Sequence, residues 1–135
     1  MISETGASRA ILILAEVGLF KLVVCPHVLQ EVERNLAAKL PQALPLFRRM
    51  LERLSVEVVP DPPREEVSRW AQVIVPKDAP VLAAAVLAAP HRLVTLDVKD
   101  FLTSPEVTRR SGLVICTPGE VIQDVRTLLE AGFSR

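Results

Sequence analysis

The sequence is short of the residues that disulfides and soft metals need. It has two cysteines and two histidines in 135 residues. Cys25 and Cys116 both fall near the ends of apolar runs that read as strands, where a free thiol behaves as a small hydrophobe. That pattern excludes a disulfide framework, and the absence of a Cys/His cluster excludes a structural zinc site. An excess of one charge is lacking too. Sixteen basic side chains balance 16 acidic ones, so the formal net charge is zero. A polyanionic ligand would need a local basic patch or a metal ion. No apolar run is long enough to span a bilayer and no signal-peptide pattern opens the chain, so a cytoplasmic protein is expected. No G-x-G-x-x-G and no G-K-[ST] follows an apolar run, which argues against a nucleotide-binding module. Asparagine occurs once, at Asn35, against 11 prolines, a balance that fits a heat-stable protein.

What is present alternates, without repeats or a clear linker. Half of the residues are apolar, enough for one domain with one core over residues 1–135. Helices are predicted at 7–18, closed by Gly18, and at 26–40, with Pro26 at the start and Val28, Leu29, Val32 and Leu36 on one face. Further helices are predicted at 42–54, 63–74, 78–89 and 118–132. The one at 78–89 is apolar nearly all round, so it should be buried, with Asp78 as its N-cap. Strands are predicted at 21–25, 56–60, 92–97 and 113–117. Continuous apolar strands between helices predict an α/β fold with one parallel sheet covered on both faces.

In such a fold helix N-termini and strand C-termini share one edge of the sheet. Asp97 ends the strand at 92–97, and Asp78 opens the helix leading into it. Glu31 and Glu33 flank the apolar face of the helix at 26–40, and either one could face that edge. Asp100 lies just beyond, as a loop acid at the rim. Gathered carboxylates repel each other unless a cation or protons neutralise them. Oxygen ligands without sulfur or paired imidazoles suit Mg²⁺ or Mn²⁺, which assist phosphodiester hydrolysis. Each acid also has an ordinary role. Asp97 suits a turn, Asp78 a cap, and Glu31 a solvated helix surface. His27 fits a helix start, His91 a surface turn, and Asp61, Glu65 and Glu66 a turn and a helix dipole.

Three segments together resemble the PIN-domain family, in particular the toxins of toxin–antitoxin pairs. They are T-G-A-S-R-A-I-L-I-L-A through Leu36, K-D-A-P-V-L-A-A-A through L-V-T-L-D-V-K-D-F, and G-L-V-I-C-T-P-G-E-V-I. The resemblance runs from about residue 5 to the last helix, and its middle block is the most specific part. It implies a three-layer α/β/α sandwich around a parallel sheet and a Mg²⁺- or Mn²⁺-dependent ribonuclease acting on single-stranded RNA. An antitoxin protein is the implied partner. Separately, the high apolar fraction and the run A-I-L-I-L-A-E-V-G-L-F, with more apolar side chains than one helix face needs, predict a homodimer or larger assembly. The resemblance puts the acidic site on Glu31, Asp78, Asp97 and Asp100, which settles Glu31 over Glu33. Of these, Glu31, Asp78 and Asp97 would hold the metal. Thr95 would hydrogen-bond a neighbouring carboxylate. The family's first strand, with its V-x-D-T-N-V aspartate, has no counterpart here, and no Asp precedes Asp61. The resemblance therefore implies weak ion binding and slow or absent cleavage, with Glu4 as the first candidate to replace the missing acid. It also implies two strand edges left without a neighbour.

Overall fold

The computed structural model describes the backbone of residues 4–133 and the side chains of residues 6–132. Along the chain run α1 (Glu4–Glu16), β1 (Val23–Val24), α2 (Pro26–Lys39), α3 (Leu44–Leu54), β2 (Glu57–Val58) and α4 (Arg64–Trp70). Then come α5 (Ala79–Ala88), β3 (Leu93–Val94), α6 (Val98–Phe101), α7 (Pro105–Ser111), β4 (Ile115–Cys116) and α8 (Pro118–Phe133). Two 3-10 turns, at Pro41–Ala43 and Pro76–Asp78, lead into α3 and α5. No helix among the described residues is long and apolar enough to cross a membrane.

Local chemistry explains most boundaries. Proline occupies the first turn of α2, α3, α5 and α7, where its missing N–H costs nothing. Gly18 closes α1 at φ +91, with its N–H on the Ala15 carbonyl at 3.1 Å and the Leu19 N–H on Leu14 at 2.9 Å. That pair of bonds is a Schellman ending, which needs a left-handed residue at this position. The helices α6 and α7 stand where the apolar pattern indicated no element. Their signals are polar. Asp97 Oδ1 accepts the Asp100 N–H at 3.0 Å and opens α6. Ser104-Pro105-Glu106 opens α7, and Gly112 at φ +69 closes it.

The strands do not join into one sheet. β1 pairs in parallel with β2, and β3 pairs in parallel with β4, as two separate two-stranded sheets. Val23 lies opposite Glu57, and Leu93 opposite Ile115. The parallel direction agrees with the sequence reading, but the single four-stranded sheet does not form. One sheet would require a strand joining the two pairs, and none of the described residues supplies it. Among the described residues each strand therefore has a neighbour on one edge only. β2 is also not covered on both faces, because Glu57 and Val58 are both exposed. The chain is α/β in content and mostly helical.

The larger buried cluster gathers around α5. It joins Trp70, Ile74, Ala79, Leu82, Ala83, Ala85, Phe101, Val107 and Leu113. Alanines on α5 let α4 pack closely against it, and Leu82 and Val107 are wholly enclosed. Fully burying such side chains stabilises by about 1.5–3 kcal/mol each. The burial expected for the whole of α5 holds only over its first two turns. Leu87 emerges at 56% exposure. The helix at α2 buries none of its residues fully, so Val28, Leu29, Val32 and Leu36 are only partly covered. A smaller cluster of Ile11, Cys116 and Val121 sits where α1 meets α8. Both cysteines are free and buried, as their sequence context implied, and burial pushes both thiol pKa values up.

Candidate metal centre

Three of the predicted acids converge. One oxygen from each of Asp78, Asp97 and Asp100 lies within 4.8 Å of the other two, and all three residues are half-buried. The fold brings them together through short links to the core. Asp78 ends the 3-10 turn and is followed by Ala79, which is fully buried in α5. Asp100 precedes Phe101, which is 3% exposed. Asp97 follows β3 by three residues and caps α6, its backbone N–H bonded to Thr95 Oγ1 at 2.9 Å. Thr95 thus serves the main chain, where the resemblance had put a carboxylate.

Two expectations change in detail. Asp78 stands at the N-cap position of α5 but makes no capping hydrogen bond, because its own backbone is helical. A capping side chain needs extended geometry to reach the free N–H groups. The 3-10 turn removes that geometry and frees the carboxylate for other partners. Asp100 is not a loop acid at the rim. It lies in α6, its side chain is 12% exposed, and it stands as close to the group as the others.

The sequence reading gave Lys77 no role, yet its ammonium sits among the three acids. Nζ is 3.0 Å from Asp78 Oδ2, 2.9 Å from Asp100 Oδ2 and 3.5 Å from Asp97 Oδ2. The available signal was a base directly beside a suspected ligand. The separation of 23 positions between Lys77 and Asp100 hid the contact. This arrangement splits the acids. Burial pushes the Asp78 pKa above its ordinary value, against the pull of Lys77, and the neighbouring acids push the same way. The hydrogen bond from Lys77 holds Asp100 below its ordinary value. Lys77 itself is held more firmly protonated by Asp100 and Asp78.

Glu31 is not among the converging acids. Its Oε1 lies 2.9 Å from His27 Nε2, one turn away on α2, although the contact is off the line of a hydrogen bond. Glu33, the other acid flanking that face, pairs with Arg48 of α3 at 3.8 Å. Asp61, read as a turn acid, accepts the His27 N–H at 2.9 Å and so caps α2 from a distance. Cys25, at the local N-cap position, has no side-chain cap bond to offer. The Glu4 side chain lies outside the described residues.

The donor set fits a hard divalent cation. All three groups are carboxylates, and no thiol or imidazole joins them. The ammonium of Lys77 already stands in for positive charge at that point. The chain matches no protein-family model, no curated protein and no solved structure.

Proposed function

We propose that this chain is a PIN-like, Mg²⁺- or Mn²⁺-dependent ribonuclease that cuts single-stranded RNA as the toxin of a toxin–antitoxin pair. The observation that carries this reading is the convergence of Asp78, Asp97 and Asp100 within 4.8 Å. A bound divalent ion would supply a water of lowered pKa and would offset charge on the phosphodiester. The chain's own part is to hold the ligands. Asp97 commits Oδ1 to the Asp100 N–H, and its Oδ2, now 3.5 Å from the Lys77 ammonium, is the oxygen it would turn to an ion. Asp78 and Asp100 are anchored through Ala79 and Phe101. In this reading Glu31 joins only by giving up His27, so three acids carry the ion and binding is weak. A three-layer α/β/α arrangement belongs to the same proposal.

The partner is a second copy of the chain as well as an antitoxin. Ala10, Ile13, Leu14, Ile122, Val125 and Leu129 line an apolar groove between α1 and α8. Arg126 and Glu130 flank it, so the rim carries both signs and complements itself in a twofold arrangement. Zero net charge adds no long-range repulsion between copies. Sedimentation of a monomer at micromolar concentration would remove this part.

A second reading has an observation in its favour. Lys77 already offsets part of the charge of the acids, so the domain can fold without metal and act as a protein-interaction module. Calorimetric titration with Mn²⁺, followed by incubation with a labelled single-stranded RNA, separates the two. The nuclease reading expects weak binding and slow cleavage, both lost in Asp97→Asn. Absence of any binding heat at millimolar Mn²⁺ leaves only the interaction module.

A further inference from the structure

We infer that Lys77 is a tethered counter-cation that occupies the ion's place and must swing out before a divalent metal enters. The inference rests on the proposed metal site and adds its regulation. The geometry is specific. Lys77 Nζ lies 2.9–3.5 Å from an oxygen of each of the three carboxylates. Those carboxylates are the same three whose oxygens lie within 4.8 Å of one another. An ion held by them at roughly 2.1 Å from each oxygen would sit in the space the ammonium fills. Two cations cannot share that space, so each excludes the other.

Departure of the lysine is easy by construction. Its side chain is 68% exposed, and its backbone lies in the 3-10 turn before α5 rather than in the core. A lysine stem released into solvent regains rotamer freedom. The ammonium is therefore a removable plug. It relieves repulsion among three acids while no metal is present, and it sets a threshold of metal concentration for filling the site. Lys99, on α6 beside Asp100, makes no ion pair among the described residues. It carries the same charge nearby without occupying the site, which makes it the natural control.

The experiment titrates Mn²⁺ by calorimetry into the wild-type chain, Lys77→Gln, Lys77→Arg and Lys99→Gln, with thermal melts in metal-free buffer. Lys77→Gln should bind Mn²⁺ about tenfold tighter, since the competent state no longer has to be freed first. It should also melt lower without metal and recover more than the wild type when Mn²⁺ is added. Lys77→Arg, whose guanidinium can still hold two carboxylates, should bind no tighter than the wild type. Lys99→Gln should differ from the wild type by less than about twofold, because an exposed charge is screened. If Lys77→Gln binds equally or more weakly while the wild type binds, the plug is refuted and the metal site stands. If Lys77→Gln and Lys99→Gln tighten equally, general charge is the cause and the plug is again refuted. If no variant binds Mn²⁺, the metal site and the plug fail together.

Discussion

Leu82 in α5 is wholly buried, whereas Leu129 in α8 is 56% exposed, although both are leucines on amphipathic or apolar helices. The contrast extends to their surroundings. Around α5, nine side chains form one buried cluster, while the cluster beside the α1–α8 contact has three buried members among the described residues, Ile11, Cys116 and Val121. Ile13, Val17, Leu19, Leu128 and Leu129 remain exposed on the α1–α8 side. The acids stand on the better-packed half. Asp78 adjoins Ala79, and Asp100 adjoins Phe101, both members of the larger cluster. A metal site needs ligands held to a fraction of an ångström, and packing of neighbouring residues supplies that constraint. The looser half has the property an association surface needs, which is apolar area without a cover.

Truncation is the strongest way to break this comparison. Leu82→Ala should cost about 2–5 kcal/mol, because the closed surroundings cannot collapse onto the cavity. Ile11→Ala should fall at or below about 2 kcal/mol, since Ile11 is already 9% exposed and has few buried neighbours. Urea unfolding of both variants measures the difference. Equal costs would mean that the two halves are packed alike. The surface position Leu129 should tolerate alanine within about 0.5 kcal/mol in a dilute monomer. A larger loss there would signal a covered surface.

Backbone strain gives a smaller effect and a finer comparison. Gly112, which closes α7 on the packed side, and Gly18, which closes α1, both have positive φ, and neither has an atom within 4 Å of an added Cβ. Alanine at either place should therefore cost only the left-handed penalty of about 1–2 kcal/mol. A clearly larger loss at Gly112 would reveal a clash that the open space does not contain.

The smallest effects separate the acids themselves. Asp78 has its pKa raised by burial, so the folded chain keeps this proton after the unfolded chain has released it. The stability from that proton is present below the ordinary carboxylate value of 3.8 and is lost as pH rises through the folded value. Asp100 has its pKa lowered by Lys77 and behaves in the opposite way. Its contribution is present above 3.8 and is lost as pH falls through the folded value. In metal-free melts Asp78→Asn should gain on the wild type as pH rises above 3.8. Asp100→Asn should lose on it as pH rises toward 3.8 from below. Parallel curves for the two variants would mean that Lys77 does not distinguish them.

Much of this molecule was legible from residue order. Pro26, Gly18 and the apolar runs at 21–25 and 92–97 located helices and strands because they act on the backbone within a few residues. The acids at 78 and 97 were placed together by the topology of parallel strands and crossover helices, and they do meet. Asp97 as the cap of α6 and Ser104-Pro105 as the start of α7 were legible too, but polar signals between strands are easily passed over for apolar ones.

The sequence by itself determined six of the helices and several of their ends, the parallel direction of the strands and the free, buried state of both cysteines. These follow from short-range sterics, from hydrogen bonds between near neighbours, and from the exclusion of apolar side chains from water. Tertiary structure alone decided that the strands form two pairs, that Glu31 turns to His27, and that Lys77 reaches across 23 positions to Asp100. Sheet partnership and ion pairing depend on which distant groups arrive within about 4 Å, since charges and backbone dipoles act at that range and residue order does not encode it locally.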